Sequence, residues 1–177
     1  MYCAARNPER VRALVAAEFA PTVDPAGGAR VARSVGTQPD AFASLDDCIA
    51  WCTGKRAQDV DERTRARFEQ YTVTAPGGGV TIKRDLAFRD QFKRILETGQ
   101  RPPAPVDLWQ VLADLRSPAL FIRGKRSDMF SAETAQRVLA TNARAELVEL
   151  DTGHDLGGED PQGLVRVTRE FLARHAL

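Results

Sequence analysis

Asp128 and His154 are the two residues of this chain whose types and setting are best suited to acid–base chemistry. Asp128 lies just past an expected strand end, in Arg123-Gly124-Lys125-Arg126-Ser127-Asp128, and His154 just past the next strand, in Asp151-Thr152-Gly153-His154-Asp155. A carboxylate that accepts from one imidazole nitrogen leaves the other nitrogen as a base toward a hydroxyl or water. Each residue also has a plainer use. Asp128 suits a turn or a cap ahead of the helix that Ser131 introduces, and His154 suits a polar loop. The pairing of an acid after one strand with a histidine after the next favours the chemical use.

The flanking elements would bring them together. Ala119–Arg123 is an apolar strand between Pro118 and Gly124, and Ala145–Leu150 is a second strand. Between them Ala132–Thr141 is an amphipathic helix, with Ser131 placed to cap it and Glu133 in its first turn. Pro161–His175 is a terminal helix with Leu164, Val167, Thr168, Phe171 and Leu172 on one stripe. A β-α-β-α order requires parallel strands joined by right-handed crossovers. The carboxyl ends of such strands share one edge, where ligands bind.

Upstream, Met1–Arg12 reads as the second half of a helix stopped by Asn7-Pro8. Val11–Ala17 is a short continuous apolar run, as expected for a strand buried on both faces. From Glu18 to about Asp107 the character changes. Pro21–Pro39 is rich in Gly, Ala and Pro, and helical periodicity follows over Ser44–Cys52, Asp61–Gln70 and Asp85–Leu96. Ser44-Leu45-Asp46-Asp47 has the form of a capping box. Ala75–Val80 is a turn whose three glycines lack the strand-to-helix context of a phosphate cradle. Arg101–Pro105 is a stiff connector. The expected division is 1–20 as core, 21–106 as a helical cap, and 107–177 as the C-terminal core.

The motifs resemble those of the α/β-hydrolase fold superfamily. Ser117–Gly124 followed by Ser127-Asp128 looks like that family's strand-and-acid segment. Gly153-His154-Asp155, with Glu159-Asp160-Pro161 and the terminal helix, looks like its histidine loop. Arg6–Val15 is similar to the segment joining the helix behind the nucleophile to the sixth strand, and Asp107–Leu115 to the helix returning from the lid. The resemblance implies an α/β fold: the C-terminal part of a parallel sheet with helices on both faces and a helical cap insertion. It also implies Asp128 as triad acid and His154 as triad base, hydrolysing a small ester, lactone or related acyl substrate. Some family members place the acid after the sixth strand, which corresponds to Glu18 here; Asp128 has the better local match.

The family's nucleophile sits in a G-x-S-x-G elbow, or one with Asp for Ser, and no serine here has those flanking glycines. The elbow would fall a few residues before Met1, so Met1 reads as an internal methionine of a longer ancestral chain. An Asp nucleophile would imply epoxide or haloalkane hydrolysis with the same pair. Trp51, Trp109 and Phe130 are candidate substrate contacts, alongside Phe68, Tyr71, Phe88 and Phe92; the cap aromatics suit a cap core equally well.

Composition narrows the partners. Twenty-five basic residues against 24 acidic ones leave a net charge of +1, which sets up no strong field for nucleic acid or anionic membrane. No apolar run approaches the roughly 20 residues needed to cross a bilayer, and the first ten residues have no basic-then-apolar leader pattern. Cys3, Cys48 and Cys52 are too few and too unevenly placed for a disulfide framework, and the cytoplasm is the expected compartment. Cys48 and Cys52, at i, i+4, read as a buried or half-buried thiol pair. Neither metal nor organic cofactor is expected. The expected partner is a small-molecule substrate. A catalytically inactive fragment, self-associating as a homodimer through an exposed sheet edge, is the alternative.

Overall fold

The computed structural model describes residues 1–176 and divides into two compact units, Met1–Ala29 with Pro102 onward, and Arg30–Arg101. The first is built on a three-stranded parallel sheet. Strand β1 (Leu14–Ala17) and β5 (Ala145–Leu150) flank β4 (Ala119–Gly124). The register pairs Leu14 with Ala119 and Ala17 with Ile122, then Ala119 with Ala145 and Gly124 with Leu150.

The continuous apolar sequence of β4 has its reason here, since all six of its residues are buried. Side chains alternate across a strand. Leu14, Ala16, Ala119, Phe121 and Leu147 therefore face one way, joining Ala4, Leu112, Leu115, Ala135 and Val138 from helices α1 (Tyr2–Arg6), α6 (Leu108–Ala113) and α7 (Ala132–Thr141) and the turn after α6. Val15, Leu120, Ile122, Val148 and Leu150 face the other way, against Leu156, Val167 and Phe171 from α8 (Leu156–Glu159) and α9 (Pro161–Arg174). Ser131 caps α7 as its sequence suggests, accepting from the Thr134 amide at 3.1 Å. Asn142 donates to the carbonyls of Leu112 (2.7 Å) and Leu115 (2.8 Å), tying the exit of α7 to α6.

The second unit contains α3 (Leu45–Thr53), α4 (Glu62–Tyr71) and α5 (Leu86–Thr98), with a hairpin of β2 (Thr72–Thr74) and β3 (Val80–Ile82). Helix α2 (Pro25–Gly36) spans the junction in sequence. It forms where the sequence reads as irregular: the proline sits at the helix start, where its missing N–H costs nothing. Ser44 caps α3, accepting from Asp47 N at 3.1 Å and donating to the Asp47 carboxylate at 2.6 Å. Cys48 is fully buried and Cys52 exposed, and neither is in a disulfide. No helix among the described residues is long and apolar enough to cross a membrane.

Candidate active site

The site forms at the carboxyl ends of the three parallel strands. β1 ends at Ala17, and Glu18 follows with φ of 50°, a left-handed conformation unusual for a non-glycine residue. Its amide still donates to Ile122 O at 2.8 Å, so the chain turns sharply while the ladder continues. The turn drives the Glu18 side chain toward the loop after β4, where it is 4% exposed.

Three neighbours meet that buried carboxylate. Gly124 N–H donates to Oε1 at 2.5 Å, Ser127 Oγ lies 2.5 Å from Oε2, and His154 Nδ1 lies 2.9 Å from the same Oε2. A carboxylate buried without partners would be costly, and donors on both oxygens remove that cost. They also compensate the left-handed backbone, a strain on the order of 1–3 kcal/mol that persists only where the surroundings over-determine it.

The loops are held in turn. Arg123, buried at the end of β4, donates to Phe130 O (2.6 Å) and Lys125 O (3.3 Å) and pairs with Glu149 (2.5 Å). Its planar fork thereby fixes both ends of the segment that carries Ser127. The histidine loop is bound to it: Lys125 N donates to Leu150 O (2.8 Å) and Arg126 N to Thr152 O (2.9 Å). Arg126 pairs with Asp151 and with Glu159, the latter at 3.1 Å, and Glu159 accepts from Gly153 N at 3.0 Å on both oxygens. A Cβ on Gly124 would sit 2.1 Å from Gly153 O, so only glycine allows the two loops to approach this closely. His154 itself is 44% exposed, with its second nitrogen outside the bond to Glu18.

His154 therefore stands where its sequence suggests, after β5, but the carboxylate on Nδ1 is that of Glu18, the alternative position, and not that of Asp128. Ser127 is the residue of the loop after β4 whose side chain reaches Glu18 Oε2. Asp128 is half-buried in that loop, and its carbonyl closely faces Gly27. Phe130 is a correction: it is 1% exposed within the core cluster, with Ala4, Ala16 and Phe121, and offers no surface to a substrate. Trp109 packs half-buried beside that cluster, donates to Thr22 Oγ1 at 2.8 Å, and carries the Arg137 guanidinium 3.8 Å from its ring centre. Trp51, in the second unit, is 37% exposed with its ring centre 5.9 Å from that of Phe42. Asp155 caps α8 by accepting from Gly158 N at 2.9 Å. Among the described residues no group of three or more His, Cys, Asp and Glu side chains is arranged to hold a metal ion. The signal that identifies Glu18 in the sequence is its place, the first residue after a parallel strand.

No protein-family model matches the sequence, and no curated protein resembles it closely enough to count as a relative. Solved structures do match. E-2-(acetamidomethylene)succinate hydrolase superposes with a TM-score of 0.78 at 21% identity, over 97% of this chain and 61% of its own. An α/β hydrolase from Novosphingobium aromaticivorans gives 0.68 at 28% identity, over 96% and 59%. An esterase from Mycobacterium tuberculosis gives 0.67 at 19% identity, over 96% and 55%. The chain thus has the fold of the α/β-hydrolase superfamily and corresponds to the C-terminal part of those structures, spanning about 60% of the length of the first two.

Proposed function

We propose that Glu18 and His154 are the acid and base of a hydrolase acting on small ester, lactone or related acyl substrates. The carrying observation is the 2.9 Å contact between a buried, donor-surrounded carboxylate and an imidazole at the carboxyl ends of parallel strands. With Glu18 on Nδ1, Nε2 is directed to take a proton from an attacking hydroxyl and return it to the leaving group. Glu18 orients the ring and stabilises the imidazolium that forms. The attacking group is a serine outside these 177 residues, since none of the serines here has an elbow's flanking glycines. An aspartate in that place would give epoxide or haloalkane hydrolysis instead. Residues 21–106 serve as the cap insertion, and Trp109 serves as a substrate contact from the core. The hydrolase and the esterase among the matched structures support a hydrolytic reaction class.

The test is p-nitrophenyl ester turnover by the chain extended upstream in its reading frame, with and without substitutions. Glu18→Gln is expected to lower kcat about 10⁴-fold, the scale of a triad acid held in the wrong tautomer. His154→Ala should lose at least as much, and Asp128→Asn should be mild. A loss in Asp128→Asn equal to that in Glu18→Gln would return the acid to Asp128.

A second reading rests on β1. Its Leu14 and Glu18 amides bond to Pro118 and Ile122 of the β4 side, so those of Val15 and Ala17 point to the open edge. Beside that edge Met1, Leu14–Ala17 and Phe19 line a groove of about 340 Å³. Leu14–Ala17 carries no charge to discourage strand addition. A second copy of this chain, pairing edge to edge, is the partner that this surface fits. Light scattering should show mass rising with concentration, and Val15→Lys should abolish the rise; a constant monomer mass would exclude it.

A further inference from the structure

We infer that Ser127 is a positioning residue that fixes the tautomer of His154 through Glu18, an inference that rests on the acid–base reading above. The argument is a proton count. A serine hydroxyl has one proton and two lone pairs. Both lone pairs are engaged, since Ser127 Oγ accepts from Met129 N at 3.1 Å and from Phe130 N at 3.2 Å. Its single proton is therefore committed to Glu18 Oε2, 2.5 Å away. Oε1 is already an acceptor from Gly124 N–H.

Glu18 is thus met by a donor on each oxygen before the histidine is considered. Those two donors hold the carboxylate in place with Oε2 facing Nδ1, and an ionised carboxylate only accepts. The ring nitrogen facing it, Nδ1, must then carry the proton, and Nε2 is left with its lone pair. Ser127 reaches no reacting atom in this geometry. It sets which imidazole nitrogen is basic, and it does so from a loop whose two ends are held by Arg123 at Lys125 O and Phe130 O. The two amides that fill the hydroxyl's lone pairs belong to that same loop, so its backbone conformation and the direction of the proton are set together.

Nitrogen-15 and low-field proton spectra of the uniformly labelled 177-residue chain test this without any substrate. The wild type is expected to show His154 protonated on Nδ1, with a low-field proton that disappears in Glu18→Gln. Ser127→Ala should shift population to the Nε2-protonated form and lose the low-field signal, while Ser127→Thr should retain it. Should Ser127→Ala fail to give a folded amide spectrum, Ser127→Cys, nearly the same size with a weaker donor, should weaken the signal. An unchanged His154 spectrum in folded Ser127→Ala, or in folded Ser127→Cys, overturns the inference, as does equal loss in the alanine and threonine variants. In the upstream-extended chain Ser127→Ala should lower kcat about tenfold or more with KM unchanged, the scale of one charge-assisted hydrogen bond. If turnover ignores Glu18→Gln while the spectra respond to Ser127 as described, the acid–base reading fails and the positioning role stands.

Discussion

Both histidines of the chain sit against a glutamate, and their surroundings differ in every respect that matters for chemistry. His154 meets Glu18 at 2.9 Å and His175 meets Glu146 at 2.7 Å. Glu18 is buried, holds a left-handed backbone, and receives a backbone amide and a hydroxyl besides the imidazole. Glu146 is 35% exposed, is shared with Arg174, and faces a ring packed edge-on against Phe171 at 4.8 Å. Burial would raise the Glu146 carboxyl, but hydrogen bonds from His175 and Arg174 outweigh it and hold it below the ordinary carboxylate range. The second pair ties the end of α9 to the beginning of β5, away from the carboxyl ends of the strands. A histidine–carboxylate distance alone does not define a site; the donors behind the carboxylate and the position at the strand ends do.

That contrast can be broken experimentally, most severely by neutralising each glutamate. While Glu18→Gln costs the roughly 10⁴-fold given above, Glu146→Gln and His175→Asn should leave ester turnover unchanged; matching losses would erase the distinction. Next in size is Gly124→Ala. Its Cβ would press on the Gly153 carbonyl backbone, which cannot move like a side-chain end, so denaturant unfolding should show a loss of about 1–3 kcal/mol. Stability unchanged in this variant would mean that the two loops are not pressed together.

The smallest effect concerns acid. The carboxyl of Glu146 titrates lower in the folded chain than in the unfolded one, so its stabilising contribution is complete above the unfolded value. That contribution disappears as pH falls through the folded value. Glu146→Gln should therefore flatten the acid side of the stability-against-pH curve and leave its slope near neutrality alone, measured as thermal midpoint against pH. An unchanged acid limb would show that the pair is not formed in solution.

The C-terminal alternation was readable because local and tertiary demands agree there. An apolar run fills β4, a mostly apolar segment forms β5, and Ser131 and the stripe on α9 mark the helices between and after them. His154 was readable for the same reason. Glu18 was less so, because φ of 50° is imposed by bonds to residues 106 and 109 positions away, and no local rule favours a glutamate there. Phe130 misled because a loop position suggests access, whereas its ring turns inward beside Phe121. Helix α2 was hidden by its glycines and proline, which lower intrinsic helix preference. The hairpin of β2 and β3 was hidden because its strands have only three residues each.

The sheet order has a consequence for how this chain can vary. β1 pairs with β4 across a separation of more than one hundred residues, since Leu14 aligns with Ala119, and most of that separation is the helical unit. Closing a loop costs free energy only with the logarithm of its length, about 0.6 kcal/mol for each doubling. Lengthening or shortening the stretch from Arg30 to Arg101 should thus add little to the cost of closing that loop. Tolerance to insertion is therefore expected to be set by the closed loop, and intolerance by the contacts that converge on Glu18.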